Sequence, residues 1–519
     1  MFIDARSLSS GNEIHSDVCI VGAGAAGITI ALQLENPKLS VTLIESGNFA
    51  LEGATQDLYS GLNEGREYSL STTRLRFFGG STNHWGGYCR PLDDIDFKLR
   101  PWVPLSGWPI TRKSLDPWYA MAQDILDLGP YNYDATFWKY IAKDERNYLL
   151  KNDNVIQTKL FQFSPPTRYS SKYAKKIEHS SSVRCYLNLN VLQCNTTDDG
   201  QHVLSLTATT LNGNHFKIEA KIFVLALGGI ETTRLLLLSD KIRPIGYANR
   251  GGYLGACFME HPDISPGVLY VRPGVSFFQE IFRREVKLKR GHGKYPKSQD
   301  KSVPVAPVSV VAERVQNEQR LLNSGIQLHP LPSATSQARV NVAETAISEL
   351  LGPTSGQLRR FALGTVSEQA PNKASRLHLS KSTDKLGQPQ IALDWRISEQ
   401  DKTSIYQSAL IFGREVAKSG IGRLKITLPS VSEEWPLIRG YGHHMGSTRM
   451  SLSYSNGVVD PNLKIHGLTN CYVASSSVFP TSGAANPTLT LVALCLRLSE
   501  EIKRMLSKRL LSPILTTGE

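Results

Sequence analysis

The sequence predicts an α/β protein of two units: a nucleotide-binding unit on parallel strands and an α+β unit on an antiparallel sheet. Three observations lead there. The apolar run Val18 to Val21 opens directly into Gly22-Ala23-Gly24-Ala25-Ala26-Gly27, a helix-like stretch and a second strand-like run ending at Glu45. A further strand, Gly-Gly turn and helix pattern spans Lys221 to Ser239. Other strand-like runs, at Val308 to Val315, Ala374 to Ser380 and Gln390 to Trp395, carry no nucleotide signature and suggest a separate sheet.

The first element sets the chemistry. Val18 to Val21 reads as a buried parallel strand, and the six residues after it fit G-x-G-x-x-G. Gly22 permits the tight turn and Gly24 lets a pyrophosphate approach the backbone. Gly27 allows close packing of helix on strand, and Ala25 and Ala26 complete the turn. A helix over Ile28 to Leu34 turns its positive end to the phosphates. Glu45, 23 residues after Gly22 and followed by Ser46, stands where an acidic side chain accepts hydrogen bonds from an adenosine ribose. This Rossmann-like pattern leaves FAD and NAD both open.

Three further stretches accompany it. Arg74 to Phe97 packs Gly79, Gly80, Gly86 and Gly87 around Ser81, Thr82, Asn83, His84 and Trp85. Such a loop lets backbone close on a large planar ligand while polar side chains supply donors. In Lys221 to Ser239, a strand reaches Ala226, turns at Gly228-Gly229 and enters a helix expected to be capped by Glu231 and Thr232. From Asp460 onward, a strand runs into the serine-rich turn Ala474-Ser475-Ser476, and Asn486-Pro487-Thr488 opens a final helix. Proline just inside a helix start is well placed.

Composition excludes several classes. A chain that is 41% apolar and 20% charged is an ordinary globular protein. Its longest aliphatic run, Leu235 to Leu238, is far too short to span a bilayer. No basic start with an apolar stretch and cleavage site opens the chain, so a cytoplasmic location is expected. The net charge of +12 is spread out, with a local concentration from Phe282 to Lys297, and no nucleic-acid-binding motif accompanies it. The seven cysteines form no C-x-x-C pair and read as buried free thiols. The doublet His443-His444 raises the question of a metal, yet adjacent histidines on one strand diverge and no carboxylate or cysteine cluster joins them. No metal is expected.

These motifs, in this order, resemble the glucose-methanol-choline (GMC) oxidoreductases, FAD enzymes acting mostly on alcohols. The resemblance runs through Gly22 to Gly27, Gly79 to Gly87, "LALGGIETTRLLL", "CFMEHP" (Cys257 to Pro262), "EQAPNKASRLHLS" (Glu368 to Ser380), "HHMGSTRM" and "GAANPTLT". It is weakest from about Val271 to Leu350. It implies FAD with its pyrophosphate on the first turn, the ribose on Glu45 and the adenine at Val191, in the expected strand "CYLNLNVLQ". Ser475 and Ser476 would help hold the pyrophosphate. The flavin ring would lie between the Gly79–Gly87 loop and a His443/Asn486 pair, near Pro487 and Thr488. In "GGSTNHW", His84 occupies the offset of a covalent histidyl–flavin bond in some members; others carry a histidine in a similar setting without the link, and both readings stand.

The family pattern H-x-x-G-[S/T]-x-x-M, followed 43 or 44 residues later by His or Asn, places His443 in the leading position and Asn486 as its partner. Removing a hydride from a CH–OH carbon needs a base for the hydroxyl proton, and a histidine with its ordinary pKa of about 6.5 suits that task. His443 is the expected catalytic base and Asn486 the group that orients the hydroxyl. His444 has no assigned chemistry, His261 is expected to be structural and His466 to lie in a turn. The implied architecture is a Rossmann-like FAD-binding domain from 1–98, 180–265 and 440–519, with a discontinuous α+β substrate domain from 99–179 and 266–439. The expected substrate is a small-molecule alcohol, best a sugar, glycoside or aminosugar. The electron acceptor, oxygen or another, stays open, and no C-x-x-C-H motif for a haem is present. A hydroxynitrile-lyase-like, non-redox FAD protein is the alternative.

Overall fold

A computed structural model describes residues 1–150, 154–242, 244–281, 283–288, 301–332, 347, 351, 358–435 and 438–511. The basic run at Phe282 to Lys297 falls largely outside them. The fold is mixed α/β and rests on two eight-stranded sheets.

In the first sheet the order is Phe2–Asp4, Val183–Leu187, Val41–Ile44, Asn12–Val21, His215–Leu225, Val203–Thr209 and Asn190–Thr196. The first five are parallel and the last two turn antiparallel. Cys471–Val473 joins from the far end of the chain, parallel to Leu225 and its neighbours. Val18 to Val21 are fully buried, as strands covered by helices on both faces must be. The first helix, Ala25–Gln33, starts three residues before the expected Ile28, because small residues at 25–27 let it begin directly at the turn. Gly27 has no room for a side chain: a Cβ there would stand 1.9 Å from the Gly22 carbonyl oxygen.

The expected single strand "CYLNLNVLQ" is two strands. Asn188, with φ of 59°, takes the left-handed conformation that asparagine tolerates, and the chain turns between Val183–Leu187 and Asn190–Thr196.

The second sheet is antiparallel throughout: Gly422–Ile426, Gly267–Val271, Arg359–Ser367, Ser324–Pro330, Lys301–Val311, Ile156–Phe163 and Tyr88–Cys89. Arg284–Leu288 also pairs with Lys301–Val311. Two expectations are corrected here. The run Val308 to Val315 is strand only to Val311, then helix over Glu313–Gln319. Arg376–Thr383 and Pro389–Asp394 do not enter this sheet; they form a three-stranded one with Gly61–Asn63. Their apolar side chains Leu377, Ile391 and Leu393 pack with Trp395, Tyr68 and Phe258 in a core of their own. The long helix Glu399–Lys418 opens on a capping box between Ser398 and Asp401.

Candidate functional site

A cavity of about 670 Å³ brings the distant motifs together. Of the residues expected at a cofactor, Gly22, Gly24, Ala25, Ala26, Glu45, Ser46, Gly80, Ser81, His84, Trp85, Gly86, Val191, Ala226, Gly228, Ser475, Ser476, Pro487 and Thr488 line it, as do His443 and Asn486. Gly27, Gly79 and Asn83 do not. Gly27 faces the strand, a side chain at Gly79 would collide with Ser170, and the Asn83 amide is turned back to the Phe78 carbonyl and the Ser170 hydroxyl.

Each wall is built by local rules. Gly22, at φ 105°, passes so close to Ala226 that a Cβ would lie 2.6 Å from its carbonyl oxygen. Gly24 has nothing within 4 Å of a would-be Cβ, so bare backbone faces the cavity at the start of helix Ala25–Gln33, whose N-terminus has no side-chain cap. Unpaired N–H groups there are ready for an anion. The Glu45 carboxylate accepts from the backbone N–H groups of Ala23 (3.1 Å) and Gly47 (2.9 Å). The glycine-rich loop is tied to the antiparallel sheet through Tyr88–Cys89 and the Ser164 N–H to Gly87 carbonyl bond of 2.8 Å.

Glu231 does not cap its helix. Helix Gly228–Ile242 begins three residues earlier, and Glu231 sits inside it, bound by Arg74 (2.8 Å), Arg76 (3.2 Å) and Arg234 (3.5 Å). Burial alone would raise its carboxyl, but Arg234, Arg74 and Arg76 together hold it down at about 2. Arg234 also pairs with Asp384 at 2.6 Å, so three arginines meet two carboxylates in this cluster, and with Glu45 the charged lining of the cavity balances.

The histidine end depends on a broken ladder. Met259 and Met445 exchange backbone hydrogen bonds of 2.9 and 3.0 Å, and Pro262 pairs with Gly440. Between these points the 440–445 segment carries two more residues than its partner, so the N–H groups of Gly442 and His443 leave the ladder. The Glu260 carboxylate accepts both, at 2.9 and 2.8 Å, together with the His261 N–H at 2.8 Å and the Tyr68 hydroxyl at 2.6 Å. Burial pushes Glu260 up to about 7 against these donors.

His443 and His444 diverge. His444 Nε2 meets the Tyr68 hydroxyl at 2.8 Å, and burial, then Arg74 and His84, lowers its pKa to about 3. His443 lies 3.2 Å through Nε2 from Asn486 Nδ2 and 2.8 Å through Nδ1 from His261 Nδ1. Burial, with His261 and His444 adding, holds it well below the usual histidine value. Asn486 Oδ1 is buried without a hydrogen-bond partner. Sequence reasoning missed Glu260, Tyr68 and the contact of His261 with His443; the "MEHP" stretch was the available signal for two of them. Among the described residues no group of three or more potential metal ligands occurs. Among them, too, no helix is long and apolar enough to cross a membrane, and all seven cysteines are free and buried.

The cavity fits FAD: bare backbone at Gly24, an uncapped helix start and an orphaned amide oxygen are what an anionic, polar cofactor would satisfy. Comparisons agree. A family model described as FAD dependent oxidoreductase matches residues 17–316, and the protein is an FAD-dependent oxidoreductase. Another, described as GMC oxidoreductase, matches residues 371–495. The chain is 22% identical to the fructose dehydrogenase large subunit of Gluconobacter japonicus, over 95% of this chain and 98% of the relative. It is 24% identical to 2-methyl-1,2-propanediol dehydrogenase of Mycolicibacterium austroafricanum, over 95% and 96%. A formate oxidase variant of Aspergillus oryzae shares the fold, with a TM-score of 0.57 at 18% identity over 96% of this chain and 100% of that one. The chain belongs to the GMC oxidoreductase family.

Proposed function

We propose that the protein oxidises a CH–OH group, best that of a sugar, glycoside or aminosugar, to a carbonyl. The observation that carries this reading is the His443 Nε2 to Asn486 Nδ2 approach of 3.2 Å on the wall of a cavity that also exposes the nucleotide turn. FAD, when bound, supplies the hydride acceptor. His443 Nε2 takes the hydroxyl proton, and Asn486, with an amide free to re-pair, orients the hydroxyl oxygen so that its C–H faces the ring. The Gly22–Gly27 turn with Ser475 and Ser476 holds the pyrophosphate, Glu45 the ribose and Val191 the adenine. The loop from Gly79 to Gly87 flanks the ring.

A polyhydroxylated substrate is favoured by the same cavity. Gln327 and His329 line it from the antiparallel sheet, and the Gln327 amide nitrogen is buried without a partner. A second substrate hydroxyl that reached this nitrogen would satisfy it, and an aliphatic alcohol has none to offer. The named relatives are redox enzymes, which favours net oxidation over lyase chemistry. In this reading 1–98, 180–265 and 440–519 form the cofactor unit, and 99–179 and 266–439 the substrate unit. Seven unpaired thiols suit the cytoplasm.

The test is anaerobic mixing with sugars, aminosugars, glycosides and simple alcohols while the flavin absorbance is followed. We expect bleaching by a sugar-type substrate and none in His443→Ala that still binds flavin. If no alcohol bleaches the flavin, the oxidation reading fails; a lyase would convert substrate with the flavin still oxidised. Acid precipitation separates the two readings of His84: flavin retained in the pellet marks a histidyl bond, and flavin in the supernatant a contact.

A further inference from the structure

We infer that His261 is a positioning residue that fixes the tautomer of His443, so that the lone pair of the base stands at Nε2, facing Asn486. The inference rests on the base reading of His443 and goes beyond it.

The hydrogen bonds themselves assign the protons. His261 Nε2 lies 3.0 Å from the Gly483 carbonyl oxygen and 3.3 Å from that of Ser482. Carbonyls only accept, so Nε2 of His261 carries a proton and donates. His261 is fully buried, and burial lowers its pKa to about 4, so the ring is neutral and its other nitrogen has no proton. That other nitrogen, Nδ1, stands 2.8 Å from Nδ1 of His443. Two bare nitrogens at that distance would repel, so His443 must donate from Nδ1. A neutral His443 protonated at Nδ1 is bare at Nε2, where the Asn486 amide nitrogen lies 3.2 Å away as a donor. One chain of bonds thus runs from the Ser482–Gly483 carbonyls through two imidazoles to Asn486, and it reads in one direction only.

The geometry has two supports. The 259–263 and 439–445 segments are tied by the Met259–Met445 bonds and by Glu260, which fixes the backbone N–H of His443 and brings a carboxylate oxygen 3.9 Å from its Nδ1. Tyr441 stacks on His443, with ring planes 27° apart. When Nε2 takes a substrate proton, the Nδ1–H bond to His261 and the nearby Glu260 carboxylate favour the resulting cation. Without an acceptor at position 261, the His443 proton is free to move to Nε2, and that tautomer cannot act as base at this atom.

Two measurements test the inference. In wild-type holoenzyme with ¹⁵N-labelled histidine, His443, assigned by its disappearance in His443→Ala, should show a protonated Nδ1 and a bare Nε2. The opposite pattern overturns the inference whatever the variants do. In His261→Phe, which keeps a ring but no acceptor, flavin reduction at saturating substrate should fall about 100-fold, the scale of a lost acid–base contribution. KM should stay close to wild type. His261→Gln, which can both donate to the carbonyls and accept from His443, should restore much of the rate. Wild-type rates in a flavin-loaded His261→Phe, with His443→Ala inactive, would sink the tautomer assignment and leave the base reading intact. An active His443→Ala would sink the base reading instead.

Discussion

At the scale of single residues, the site is a set of neutral histidines around one carboxyl. His443 is held well below 6.5 by burial, with His261 and His444 contributing. A base works when unprotonated, so the limb of the anaerobic flavin-reduction rate that belongs to His443 should fall at acid pH, below 6.5. Glu260, raised to about 7 by burial, is a group at the site that titrates in the working range. An inflection near 7 that disappears in Glu260→Gln belongs to that carboxyl. A fall centred at or above 6.5 that persists in Glu260→Gln contradicts the assignment of His443. Legibility differed sharply between these residues. That His443 and Asn486 line one cavity was legible because each sits inside a local motif. Glu260 was missed because its role comes from donors 182 and 192 residues away, at Gly442 and Tyr68, which no local pattern reports.

At the scale of elements, helix Gly228–Ile242 shows what its sequence conceals. "GGIETT" reads as a helix start with an acidic cap, yet Glu231 is the centre of three arginines. Removing it leaves Arg74, Arg76 and Arg234 with too few partners, and loss of one member of a buried ionic cluster costs about 3–5 kcal/mol. Glu231→Ala should therefore lower stability by about that amount in denaturant unfolding, where a surface substitution would cost a tenth as much. The sign with pH follows from its depressed pKa of about 2, against the usual 4.5 of an unfolded glutamate. Its contribution is present above pH 4.5 and is lost as pH falls toward 2. The strand errors are of another kind. Arg376–Thr383 and Pro389–Asp394 were rightly read as strands, but nothing in their own residues tells which sheet they join; Gly61–Asn63, over 300 positions earlier, decides it.

At the scale of the whole molecule, the cavity takes its lining from both large sheets: Val21 and Ile44 from one, Tyr88, Gln327 and His329 from the other. A cofactor that touches both couples them. Stripping the flavin should therefore lower the melting temperature of the entire chain. Reloading at a free concentration 100-fold above the dissociation constant should restore about 2.7 kcal/mol. A melting curve indifferent to flavin, in protein shown to bind it, would mean that the flavin binds the unfolded chain as well as the folded one and does not couple the two sheets.

By itself the sequence determined the nucleotide turn, the glycine-rich loop, the final helix start and the two site residues inside motifs. Each depends on consecutive residues, where backbone freedom at Gly22 and Gly79 or a proline at 487 has a local consequence. Tertiary structure alone decided the aim of each imidazole. His443 and His444 differ by one position in the chain; the family pattern singles out the first but says nothing of where either ring points. Their partners decide that: His261 and Asn486 for the first, Tyr68 for the second. Hydrogen bonds in a buried site must be satisfied by whatever the fold brings near, and that is a property of the packed chain.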